Sequence, residues 1–102
     1  MDIEERIKSS VLDQDHLADF IIGTESHAEE IRCRLQELVH KGLVELYTYA
    51  KEDQSPVVLD KAKALLIMSN PDSWAWTSKY GEKQLYFVAP VRLGNNSPIY
   101  GA

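Results

Sequence analysis

The sequence has a single cysteine, Cys33, so no disulfide can form within the chain. One cysteine also cannot build a zinc knuckle, and His16, His27 and His40 match no metal-ligand spacing. No apolar run approaches the roughly 20 residues that a membrane-spanning helix requires; Ala64-Leu65-Leu66-Ile67-Met68 is among the longest. The opening Met-Asp-Ile-Glu-Glu-Arg lacks the basic start and apolar centre of a secretory leader. Together these absences predict a cytoplasmic protein with no membrane partner. Glycine-rich phosphate loops and nucleophile elbows are also missing, and no two carboxylates are pinned into a shared pocket. The expectation is therefore no enzyme, no metal and no cofactor.

What is present suits one small domain. The chain has 102 residues, 44% of them hydrophobic, enough for a core without staples. The net charge of −5 is unevenly distributed. Residues 1–31 carry nine acids against Arg6 and Lys8, a balance of −7, so the remainder sums to +2. An acidic third is repelled by polyphosphate unless it faces away from it.

Ile3, Ile7 and Val11 mark a first helix with one apolar stripe. His16 to Ile22 predicts a short second helix, ended by Gly23. Ser26 and Glu29 have capping-box spacing, and Ala28, Ile31, Leu35, Leu38 and Val39 then repeat at helical intervals. Lys41 occupies the last turn of this third helix, and Gly42 closes it. Leu43 to Tyr49 reads as a strand. Ser55-Pro56 is expected to open a fourth helix carrying Val58, Leu59, Ala62, Leu65 and Leu66, which Asn70-Pro71 stops. Trp74–Thr77 and Gln84–Pro90 are expected to form a hairpin around Tyr80-Gly81-Glu82-Lys83, with the first strand pairing with the last. Residues 1–92 make the domain; residues 93–102 read as a loosely packed tail.

In residues 31–47, the text IRCRLQELVHKGLVELY carries Arg32, Leu35, Leu38, Gly42, Leu43, Val44 and Glu45 in an R-x-x-L-x-x-L-x-x-x-G-L-V-E arrangement. It resembles the recognition helix and first wing strand of bacterial winged-helix transcription regulators. The resemblance implies an α+β fold: a three-helix helix-turn-helix core, a small antiparallel sheet, and an extra helix inserted before the C-terminal hairpin. It departs from the family pattern in the long segment between the first strand and the wing, and in the charge of the recognition helix.

The family likeness implies a transcription regulator that binds double-stranded DNA, with Arg32, Arg34, His40, Lys41, Lys79 and Lys83 as contacts. At roughly 100° per residue, however, the face opposite the apolar stripe is centred on Cys33 and carries Ser26, Glu29, Glu30, Glu37 and His40. That face is more acidic than basic, whereas groove readers favour Arg, Lys, Asn or Gln. The alternative is a protein-interaction module that does not bind DNA, with a homodimer as one form. It rests on the acidic first third and on the aromatics Trp74, Trp76, Tyr80 and Tyr86, with Phe87, Tyr47 and Tyr49 nearby. A redox role for Cys33 is disfavoured, because Glu29 and Glu37 lie one helical turn either side of it.

Overall fold

A computed structural model of the chain describes residues 2–21, 23, 25–75, 84–92 and 100. The fold is α+β, with three α-helices and one three-stranded antiparallel sheet among the described residues. Helix α1 spans Ile3–Leu12, α2 Ala28–His40 and α3 Lys61–Met68; strands β1, β2 and β3 span Val44–Tyr49, Pro56–Val58 and Phe87–Pro90.

Helix α1 starts where the Asp2 carboxylate accepts from the Glu5 amide, with Glu4 and Glu5 favouring the positive end of the helix dipole. Ile7 and Val11 bury its apolar stripe. The expected second helix is only a 3-10 turn, Leu17–Phe20. His16 caps it, its Nδ1 accepting from the Ala18 amide at 3.0 Å. The imidazole is buried rather than on the surface, packed edge-on against Phe87.

The Ser26 capping box does not form at the start of α2. A 3-10 turn, Glu25–His27, precedes α2, and His27 takes the cap position without a side-chain bond. The tighter turn moves the helix start past the residue the spacing selected. At the other end, the Gly42 amide donates to Val39 and the Leu43 amide to Leu38, with Gly42 at φ +78°. This is a Schellman closure, and it directs the chain from α2 straight into β1.

Strand β1 is central, in the order β2-β1-β3. Val44 to Tyr47 pair with Pro90 to Phe87, so the first strand does pair with the last. On the other side, Tyr47 to Tyr49 pair with Val58 to Pro56. The helix expected from Ser55-Pro56 therefore begins later, at Lys61, with Asp60 as its cap. Pro56 tolerates a strand here because β2 lies at the sheet edge, where no amide is needed on the outer side. Asn70 caps a further 3-10 turn, Pro71–Trp74, so Trp74 is in no strand. Its indole is 3% exposed and donates to the Met68 carbonyl, as does the Gln36 amide. These two donors close the end of α3 against α2.

One sheet face meets the helices. Val44, Leu46 and Val88 join Ile7, Val11, Leu17, Phe20, Ile31, Leu35, Leu38, Ala64, Met68 and Trp74 in a single core. The outer edge of β3 is covered, since the Leu17 amide donates to Tyr86 and the Val88 amide donates to Asp15. The remaining hairpin residues, including Trp76 and the Tyr80–Lys83 turn, lie outside the described residues. Tyr100 alone represents the tail; it packs against the core and its hydroxyl donates to Glu4 at 3.4 Å.

Candidate functional site

Helix α2 holds three of the six residues predicted to contact nucleic acid, and Lys41 is its C-cap. Arg32 pairs with Glu29 at 2.9 Å, and Lys41 with Glu37 at 2.9 Å. Arg34 is held by Glu4 of α1 and by Glu37 at 3.2 Å. His40 is exposed. The bonds from Arg32 hold the Glu29 carboxyl below its ordinary value, and those from Lys41 and Arg34 do the same for Glu37. The Cys33 thiol is exposed and donates to Glu29 at 3.7 Å. Each of the three arginine and lysine side chains is thus paired with at least one carboxylate. Lys79 and Lys83 lie outside the described residues.

The second candidate surface is the outer face of the sheet. Strand alternation puts Glu45, Tyr47 and Tyr49 of β1 on the side opposite Val44, Leu46 and Thr48. Register adds Phe87 and Ala89 from β3, and Pro56 and Val58 from β2. Tyr47 stacks on Phe87 with centroids 5.5 Å apart, and Tyr49 meets both rings edge-on. The Tyr47 hydroxyl donates to Gln14 at 3.1 Å. Burial, followed by its bond with Tyr49, pushes its pKa up to about 12, so it remains a neutral donor. Gln14 reaches this position from a left-handed backbone, φ 55°, after α1. Tyr49 is 40% exposed and Val58 56%, so the β2 side of this face is open to solvent.

Two hollows flank the aromatic row. One, about 470 Å³, opens where the β1–β3 ladder stops and is lined by Thr48, Tyr49, Lys51, Gln54, Gln84, Leu85 and Phe87. Side chains replace the ladder there: Thr48 donates to the Leu85 carbonyl at 2.7 Å, and Gln84 donates to the Thr48 hydroxyl at 2.6 Å. The other, about 390 Å³, lies over Glu45, Tyr47, Val58 and Ala89.

Of the predicted interface aromatics, Trp74 is a core residue held by Met68, and Tyr86 is half-buried against the core. Trp76 and Tyr80 lie outside the described residues. Tyr47, Tyr49 and Phe87, named only as neighbours in the sequence reading, form the cluster. Val58 and Glu45 were missed. The alternation of Glu45, Tyr47 and Tyr49 along β1 was the available signal for Glu45, but Val58 was assigned to a helix. Among the described residues, no group of His, Cys, Asp and Glu converges to hold a metal ion, and no helix is long and apolar enough to cross a membrane. No family model, curated protein or solved structure matches the chain.

Proposed function

We propose that this chain is a protein-interaction module on a winged-helix-like scaffold, and that the outer face of its sheet is the contact surface. The observation that carries this reading is the aromatic and aliphatic row in which Tyr49, Pro56 and Val58 are exposed and half-buried Phe87 packs with the buried Tyr47. Aromatic side chains supply large contact area with little entropy to lose, and they are enriched in interface centres. The scaffold reading draws on the order of α1, a short 3-10 turn, α2, β1 and the return of β3 beside β1.

Transcription regulation through duplex DNA is the second reading, and the Arg32–Glu45 likeness favours it. Against it stands the electrostatics of α2. A phosphate approaching Arg32, Arg34 or Lys41 meets Glu29, Glu4 or Glu37 already paired with that cation. Those carboxylates would stand beside the DNA backbone, and repulsion offsets the new contact.

The test is recovery of bound protein from cells expressing the tagged full chain and two double variants. Val58→Asp with Tyr49→Ser should abolish recovery of any specific partner, and Glu30→Lys with Glu37→Lys should leave it intact. The opposite pattern overturns the sheet-face reading. Fluorescence anisotropy with random duplex DNA at about 50 mM salt should show no steeply salt-dependent binding. Binding that collapses as salt is raised would establish the DNA reading in its place.

A further inference from the structure

The hollow over the outer sheet face is lined mainly by apolar and aromatic side chains, with Gln14, Arg92 and Glu45 as its polar members. This carboxylate stands on β1 two residues from Tyr47, on the same face, opposite Ala89 of β3. It is half-buried, and desolvation alone raises its pKa above the ordinary value. Among the described residues no cation lies within ion-pair distance of it. Arg92 lines the same hollow, and burial is the one influence that shifts Glu45. A desolvated, uncompensated carboxylate in the middle of an apolar surface weakens the isolated fold. It becomes favourable once a cation arrives with its own hydrogen bonds.

We propose that the outer sheet face takes a basic segment of another protein, one that sets an arginine or lysine on Glu45 and an adjacent apolar side chain on Val58 and Tyr49. This rests on the sheet face being the contact surface. Charge complementarity supports it at contact. A guanidinium or ammonium on Glu45 also lies beside the Tyr47 ring, which attracts cations. The geometry of the edge fixes how the segment lies. Pro56 has no amide to donate, and β2 is three residues long, so a partner strand cannot extend the sheet there by a regular ladder. The β3 edge is already occupied by Asp15–Leu17. The segment therefore crosses the face instead of lengthening the sheet. A second copy of the chain fits less well, because it brings the same negative charge.

The experiment selects peptides from a random phage library on the immobilised full chain, then titrates the synthesised consensus peptide against wild type, Glu45→Gln and Val58→Asp. The expected consensus has Arg or Lys next to an apolar residue. Glu45→Gln should weaken its binding about tenfold or more, while raising the thermal stability of the free chain, because a desolvated charge is gone. A residue with a merely structural role would lower both. A consensus without a basic residue, or Glu45→Gln binding within about twofold of wild type, overturns the proposal. If Val58→Asp also leaves the peptide affinity unchanged, the sheet-face reading itself falls. If Val58→Asp abolishes binding and Glu45→Gln does not matter, only the cation is wrong. Failure to enrich any peptide counts against both. Self-association by sedimentation that Val58→Asp removes keeps the face and overturns the basic partner.

Discussion

Gly42 joins the best-defined helix to the central strand, so the placement of the sheet face depends on it. Its φ of +78° lies in the left-handed region, and a β-carbon built there meets nothing within 4 Å. Replacing it with alanine therefore adds no clash, and the whole effect is backbone strain. For an L-residue that strain is about 1–2 kcal/mol. It is partly offset because alanine has less freedom to lose on folding, by about 0.4–1 kcal/mol. The net expectation for Gly42→Ala is a loss of about 1 kcal/mol, which for a domain of this size lowers Tm by about 4–8 °C. Gly42→Asn should cost less, since asparagine tolerates this conformation better. Calorimetry or urea unfolding of the three proteins checks this, and an unchanged denaturant slope would show that the same surface unfolds. If Gly42→Ala were as stable as wild type, or if asparagine were worse than alanine, the Schellman closure of α2 would be wrong.

Trp74→Phe removes the donor to the Met68 carbonyl and leaves part of a buried cavity, so chemical unfolding should show a loss of about 1–3 kcal/mol. Asp60→Ala removes the cap of α3 and should cost about 1 kcal/mol, measured the same way. Burial raises the Glu45 pKa, so the folded chain holds that proton more tightly than the unfolded one. Its contribution is full below the unfolded pKa and is lost as pH rises through the folded value. The stability advantage of Glu45→Gln over wild type should therefore be smallest in acid and grow through the carboxylate range; an advantage that shrinks with rising pH would contradict the burial. Lys79→Glu with Lys83→Glu should leave any residual DNA affinity and its salt dependence unchanged, whereas a clear loss would assign those lysines to phosphate contact.

The elements that declared themselves in the sequence are those whose signals were local and sustained. The stripe of Ile31, Leu35, Leu38 and Val39 sits inside a helix that Gly42 ends, and all four side chains are buried. Ile7 and Val11 behave likewise in α1. The β-rich run after Gly42 is the central strand, and its pairing with the last strand followed from shared β-propensity. Where tertiary context decides, local signals misled. Val58 and Leu59 lie at helical spacing from Ala62, Leu65 and Leu66, but Val58 pairs with Tyr47 in the sheet and the Leu59 amide donates to Leu46. Trp74 sits in an aromatic stretch that reads as strand, yet Asn70 and Pro71 start a turn that carries it into the core. The buried His16 has no periodic signature, since its burial comes from pairing across a chain separation of about seventy residues with Phe87. The candidate surface was half visible: the aromatics were counted, but the register that aligns them with Val58 and Glu45 is a long-range fact.

The most direct test of the central claim is site-specific photo-crosslinking in cells, with benzoylphenylalanine placed at Val58 in one protein and at Glu30 in another. Both positions are exposed, one on the outer sheet face and one on α2. The account predicts a discrete protein adduct from position 58 and none from position 30. A nucleic-acid or protein adduct from position 30, with nothing from position 58, would contradict it.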